Sequence, residues 1–87
     1  MKQGLIIDYV GTKRWYNDDL LHREDGPALE YTDGSKQWFI NGENHRLDGP
    51  AAKWSNGKEE WLYKDTWIKE VKSQEEFEQW LKYKTFL

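Results

Sequence analysis

The sequence predicts a mainly β fold of the α+β class, an antiparallel meander of repeated β-hairpins capped by one C-terminal amphipathic α-helix. The first observation behind this prediction is a repeat. His-Arg-Glu-Asp-Gly-Pro-Ala at residues 22–28 returns as His-Arg-Leu-Asp-Gly-Pro-Ala at residues 45–51, an offset of 45 − 22 = 23 residues. The second is a helical pattern after residue 73, which differs in period from the segments before it. Tryptophans and turn glycines keep the 23-residue step, at Trp15, Trp38, Trp61, Gly11, Gly34 and Gly57.

The chain is interpreted as one domain, residues 1–87, because this length gives room for a single modest core. Terminal units of a repeat array are usually atypical, since they cover the ends of the stack. In the incomplete first unit, either Asp8 or, by a slip of one residue, Tyr9 takes the place of Tyr31 and Trp54. The predicted units are a partial N-terminal repeat at 1–14, repeat one at 15–37, repeat two at 38–60, a partial repeat at 61–72, and a capping helix and tail at 73–87.

Each unit is predicted to contain a strand, a tight turn, a return strand and a loop. Apolar and polar residues alternate over residues 28–32, which is the period of a strand. Asp33 and Gly34 then supply a hairpin turn, because glycine tolerates positive φ. The return strands are predicted at residues 36–40 and, one unit later, 59–63.

Composition narrows the function classes. The chain is polar, with a mean hydropathy of −1.07, yet 16% of its residues are aromatic, which favours a thin structure with an aromatic core. A net charge of −3 argues against bulk electrostatic capture of nucleic acid. The absence of cysteine excludes disulfides, thiol chemistry and zinc-finger spacing. No apolar run approaches the roughly 18 residues of a membrane span, so we expect a cytoplasmic protein that does not bind membranes.

The C-terminal segment predicts a helix over residues 74–84. Ser73 and Glu76 form a capping box, with serine at the N-cap and a glutamate three residues later. Phe77, Trp80 and Leu81 follow at helical spacing and form an apolar stripe. Because this stripe needs an apolar partner, we expect the helix to cover the open end of the repeat sheet.

The histidine and arginine pairs of the repeated motif allow two interpretations. In the first, the histidines bind a metal ion or the arginines bind phosphate. In the second, each arginine pairs with the nearby aspartate or a carbonyl oxygen, and each histidine donates to the backbone of a tight turn. We favour the second interpretation, because residues that recur in every unit are most simply explained by the loop that every unit must form. We therefore predict no metal site, cofactor or catalytic residue, and a structural role for His22, Arg23, Asp25, His45, Arg46 and Asp48.

The tryptophans also allow two interpretations, as stacking platforms for bases or sugars or as a packed ladder of Trp15, Trp38 and Trp61. The constant step favours the ladder. Strand alternation then sends the neighbouring residues to the opposite face, which is either exposed to a partner or covered by the helix or a curled sheet. We predict partner-binding roles there and at one turn that differs between units, for Arg14, Tyr16, Asp18, Asp19, Gln37, Phe39, Glu60 and Leu62.

Residues 38–51, Trp-Phe-Ile-Asn-Gly-Glu-Asn-His-Arg-Leu-Asp-Gly-Pro-Ala, resemble the MORN-like repeats of small proteins from tailed phages and some bacteria. Members of that family often end in an acidic helix with Glu-Glu-Phe, as at residues 75–77. The resemblance covers roughly residues 11–80 and implies β-hairpin units that bind or scaffold rather than catalyse. Asp18-Asp19 departs from the Asn-Gly of the pattern.

The expected function is that of a small non-enzymatic binding protein. The resemblance implies a phage-type inhibitor that docks on a host or bacterial protein, as in counter-defence, and that works in the host cytoplasm. A second expectation is a self-assembling scaffold, a homo-oligomer joined through the exposed sheet edge at residues 5–10. A third is an RNA-binding accessory protein that uses Lys13, Arg14, Arg23 and Arg46 with nearby aromatic residues.

Overall fold

A computed structural model describes residues 1–85, and the last two residues of the predicted capping segment lie outside this range. Within it, the fold is mainly β, with antiparallel hairpins in a meander and a C-terminal helix, as predicted. The elements are β1 (Gly4–Ile7), β2 (Lys13–Asn17), β3 (Leu20–Leu21), β4 (Leu29–Glu30), β5 (Lys36–Gln37), β6 (Phe39–Ile40), β7 (Glu43–Asn44), β8 (Ala52–Lys53), β9 (Glu59–Glu60), β10 (Leu62–Tyr63), β11 (Thr66–Trp67) and α1 (Gln74–Thr85).

The main sheet runs in the order β1-β2-β4-β5-β8-β9, and β3 pairs with the far end of β2. Two short ribbons, β6–β7 and β10–β11, stand beside it. The 23-residue step is visible in the register, since Tyr16 pairs with Leu21, Phe39 with Asn44 and Leu62 with Trp67. The hairpins β4–β5 and β8–β9 thus build the main sheet, and β2–β3, β6–β7 and β10–β11 are equivalent second hairpins, of which the last two lie outside it.

The partial N-terminal repeat keeps the 23-residue spacing, with Asp8 in the position of Tyr31 and Trp54. The Arg14 guanidinium donates to Asp8 at 2.9 Å, where the next units use Tyr31 with Gln37 at 3.2 Å and Trp54 with Glu60 at 2.7 Å. The Gly11 N–H also donates to the Asp8 carbonyl, as the other turn glycines do to their equivalents. The alternative that placed Tyr9 in this position is wrong, because that side chain is fully exposed.

The predicted return strands are interrupted, which corrects the expectation of continuous strands at 36–40 and 59–63. The main sheet ends at Gln37 and Glu60, and the short ribbons begin after Trp38 and Trp61. At Trp38 the backbone changes partner, since its N–H still donates to Ala51 in the β5–β8 register, whereas its carbonyl accepts from His45. Each tryptophan thus marks the point where the chain leaves the sheet.

The short hairpins turn through residues with positive φ. Asn41 and Gly42 have φ values of 50° and 83°, which suit a two-residue type I′ turn. Asp18, Asp19, Lys64 and Asp65 occupy the same two positions in the flanking units and also have positive φ. Asparagine and aspartate enter this region at less cost than other non-glycine residues, which accounts for their use here.

The main apolar cluster lies at the C-terminal end, where α1 caps the array as predicted, and smaller buried residues lie along the main sheet. Trp61, Ile68, Val71 and Phe77 form one apolar cluster, and Trp80 and Leu81 pack against it. The Ser73 hydroxyl accepts the N–H of the residue three positions later, which confirms the predicted N-cap. These contacts close one end of the array.

Candidate protein-binding surfaces

The repeated His-Arg-x-Asp-Gly-Pro-Ala segments are loops built around their arginines. The guanidinium of Arg23 lies over the Trp15 ring, with its central carbon 3.9 Å from the ring centroid. Its Nε donates to Asp25 at 3.0 Å, and one terminal nitrogen donates to the Pro27 carbonyl at 3.0 Å. Arg46 repeats these three contacts with Trp38, Asp48 and Pro50 at 4.1, 3.0 and 3.2 Å. The structural interpretation of the arginines and aspartates is thus supported by geometry.

The glycine of each loop is explained by the same arginine. A Cβ on Gly26 would lie 2.9 Å from the guanidinium carbon of Arg23, and one on Gly49 would lie 2.7 Å from that of Arg46. Both distances are shorter than van der Waals contact allows. Glycine therefore leaves the space in which the guanidinium stacks on its tryptophan.

The histidines join consecutive units, but as acceptors rather than donors, which corrects the predicted direction. The Nδ1 of His22 accepts the N–H of Asn41 at 2.9 Å, and that of His45 accepts the N–H of Lys64 at 3.0 Å. Both acceptors must be unprotonated at Nδ1, so the positive-φ turn of one unit is tied to the loop of the unit before it. Burial, aided by the positive charge of Lys64, lowers the pKa of His45 below its usual value, against the opposing effect of Glu43.

The tryptophans do not form the predicted continuous ladder. Within residues 1–85, the aromatic contacts include no pair drawn from Trp15, Trp38 and Trp61. The first two rings are half-buried under arginines, and only Trp61 is in the apolar core. Trp15 and Trp38 are instead each held by an arginine, whose planar guanidinium stacks on the ring.

The predicted partner-binding row is only partly on one face. By register, Tyr16, Arg14, Gln37 and Glu60 share a face of the main sheet. All four are half-buried. Arg14, Gln37 and Glu60 hydrogen-bond within the chain, and the Arg14 contact holds the pKa of Asp8 below its ordinary value. The polar groups of these three residues therefore stabilise the hairpins through hydrogen bonds within the chain.

The other predicted residues lie elsewhere. Phe39 and Leu62 are half-buried in the two short ribbons, beyond the points where the chain leaves the sheet. Asp18 and Asp19 are exposed and hold the N-terminal arm. The Asp18 N–H donates to Gln3 at 2.8 Å, and the Asp19 N–H donates to the Lys2 carbonyl at 2.9 Å.

A groove lies between the two repeated loops, with a volume of about 490 Å³. Its apolar lining comes from Trp38, Ile40 and Leu47, of which Leu47 is 52% exposed. The carboxylates of Glu24, Asp25 and Asp48 surround the groove, and these side chains are between 85% and 89% exposed. The residues that line it are Arg23, Glu24, Asp25, Gly26, Trp38, Ile40, His45, Arg46, Leu47 and Asp48.

Sequence reasoning missed this groove. Glu24 and Leu47 occupy the one position of the motif that differs between the two loops. This difference was the available signal, because a position that does not hold the loop together can vary and can contact a partner. The groove itself needs the spacing of two loops in space, which the sequence does not show.

A second exposed surface is the N-terminal apolar edge, defined as Leu5, Ile6, Ile7, Tyr9 and Val10. These side chains are between 40% and 100% exposed. β1 is the first strand of the main sheet and pairs on one side only, with β2. The predicted exposed edge at residues 5–10 is therefore present.

Comparison of the chain with protein-family models, with characterised proteins and with solved structures finds no match. The resemblance to MORN-like repeats stays a prediction that rests on the repeated motif. Within residues 1–85, no helix has the length and apolar character needed to cross a bilayer.

Proposed function

We propose that this chain is a non-enzymatic binding protein whose groove takes a lysine or arginine side chain from a protein partner. The observation that carries the proposal is the groove's combination of an apolar floor and an acidic rim. An alkyl stem fits against Trp38, Ile40 and Leu47, and the cationic head reaches the carboxylates.

Charge complementarity supports a basic occupant. The two arginines of the groove are held against tryptophan rings and proline carbonyls, so their charges are partly used inside the loops. Asp25 and Asp48 each receive one Nε–H bond on Oδ1, which leaves further lone pairs for an incoming donor. Within residues 1–85, the carboxylate of Glu24 contacts a single cationic group, the ring of His22 at 4.0 Å.

A titration followed by amide and indole NMR signals tests the groove. The probe is N-acetyl-arginine amide, and N-acetyl-citrulline amide is its uncharged control. We expect the arginine probe to shift the signals of Leu47 and the Trp38 indole, and the citrulline probe to leave them nearly unchanged. Equal shifts with both probes, or arginine shifts spread over the whole surface, would contradict the proposal.

A pair of charge-matched variants extends the test to a protein partner. Glu24→Lys places a positive charge on the rim, and Glu70→Lys makes the same change at an exposed residue that does not line the groove. A partner in a host lysate should bind the wild-type chain and Glu70→Lys but not Glu24→Lys. A partner retained equally by both variants binds elsewhere.

The more specific function, a phage-type inhibitor of a host protein in the cytoplasm, is proposed on the motif resemblance. An activity assay on the captured partner tests it, because inhibition must disappear with Glu24→Lys. RNA binding has less support, since Arg14, Arg23 and Arg46 are each paired with an aspartate.

A further inference from the structure

We propose that the N-terminal apolar edge is covered by a second copy of this chain, with the two β1 strands paired antiparallel about a two-fold axis. The surface is separate from the groove, so the inference goes beyond the proposed function. Strand edges that face solvent are usually protected by charge, proline or a covering element. Residues 3–7, Gln-Gly-Leu-Ile-Ile, carry no charge and no proline.

The backbone of β1 has free hydrogen-bonding groups on its outer side. In an antiparallel strand the N–H and C=O groups of alternate residues face the same neighbour. The Lys2 carbonyl and the Asp8 N–H both bond on the β2 side, so the even-numbered residues face inward. Leu5 and Ile7 therefore present their main-chain groups outward, and the chain changes direction before them at Gly4, where φ is 76°.

These outward groups select a register. When Leu5 pairs with Leu5 of the second copy on the two-fold axis, the two residues exchange a pair of main-chain bonds, and each Ile7 lies opposite Gln3 of the other copy, next to the bend at Gly4. The same register places Lys2 opposite Asp8 of the second copy, an arrangement of unlike charges. Ile6 then lies opposite Gly4, which has no side chain to obstruct it.

The two ends of the sheet explain why the pairing stops at two copies. The opposite edge strand, β9, is made of Glu59 and Glu60, and α1 packs at that end of the array. One apolar edge in each chain pairs with its own copy in an isologous contact, and such a contact closes. The product is a dimer with one continuous sheet rather than a filament.

The contact is small. One strand edge and the three apolar side chains of β1 give less area than the roughly 800 Å² per partner of a standard interface, so we expect dissociation in the micromolar range or weaker. The dimer must therefore be sought over a range of concentrations. Sedimentation of the full chain from micromolar to millimolar concentration should show a monomer that converts to a dimer and no larger species.

Two exposed leucines provide matched variants. Leu5→Lys sets like charges against each other on the two-fold axis, whereas Leu20→Lys makes the same change at a residue 48% exposed in β3. We expect Leu5→Lys to raise the dissociation constant at least tenfold and Leu20→Lys to leave it unchanged. Far-ultraviolet circular dichroism confirms that both variants fold.

Amide hydrogen exchange of the wild-type chain tests the register even if Leu5→Lys fails to fold. In the dimer, the amides of Leu5 and Ile7 gain protection as concentration rises, and the inward amide of Ile6 changes little. A monomer at millimolar concentration, a dimer that leaves Leu5 and Ile7 unprotected, or growth beyond two copies would overturn the proposal.

Discussion

The two ends of the repeat array differ in burial: the C-terminal end is covered by α1, and the N-terminal strand β1 is exposed. At the C-terminal end, the third unit has Ile68 and Val71 where the second has His45 and Asp48. The Ile68 N–H still donates to the Trp61 carbonyl at 3.0 Å, so the backbone of the repeat is kept while its side chains become apolar. α1 covers them. The array is closed by changing the chemistry of a loop and retaining its hydrogen bonds.

The N-terminal end is not closed in this way. The half-unit there keeps the hairpin through Asp8, Gly11 and Arg14. The apolar side chains of β1 are exposed, with no element of residues 1–85 packed over them as α1 is packed over Ile68 and Val71. The hydrogen bonds of the repeat therefore fix the strand register at both ends, whereas the burial of apolar side chains depends on a separate element that covers them.

The largest expected effect separates the two ends with one kind of substitution. Ile68→Ala removes a side chain that is 4% exposed and should lower the free energy of unfolding by about 2–5 kcal/mol. Ile6→Ala removes the same group where it is 40% exposed and should cost roughly 1 kcal/mol or less. Urea unfolding of dilute protein measures both, and equal losses would refute the contrast.

A smaller effect is expected in the loops between the ends. Arg46→Lys keeps the charge but loses the planar group that stacks on Trp38 and donates in two directions. We expect a loss of about 1–3 kcal/mol, nearly as large as that of Arg46→Ala. Thermal unfolding gives the values. Full rescue by lysine would show that charge alone matters.

The smallest effect is a pH dependence at the junction of units two and three. Because the pKa of His45 is lowered by folding, the unfolded chain takes up its proton first, and stability falls as the pH drops below about 6.5. His45→Asn keeps an acceptor near the position of Nδ1 but does not titrate. Unfolding curves of the variant should lose part of the slope between neutral and mildly acidic pH.

His22→Asn is the control at the preceding junction, where the same Nδ1 contact is made to Asn41. We expect it to preserve the slope that belongs to His45. A pH profile of His45→Asn identical to that of the wild-type chain would show that the junction does not titrate as described.

Much of this fold follows from sequence periodicity. The 23-residue step gave the hairpin units, the positive-φ turns and the loop role of Arg23 and Arg46, because these features depend on contacts within one unit. The direction of the histidine hydrogen bonds did not follow, since it depends on which backbone group of the next unit faces the ring. The groove was missed because it needs the spacing between two loops. The arginine–tryptophan stacking lies within one unit, and it was missed because the sequence does not show which ring a guanidinium faces.

The most direct test of the contrast between the ends is native-state amide hydrogen exchange on dilute, monomeric protein. We expect the inward amide of Ile6 to exchange through local opening of β1, with a free energy well below that of global unfolding. The amides of Ile68 and Phe77 should exchange only when the whole chain unfolds. Equal protection at Ile6 and Ile68 would contradict the account, because it would mean that the exposed end is held as firmly as the closed one.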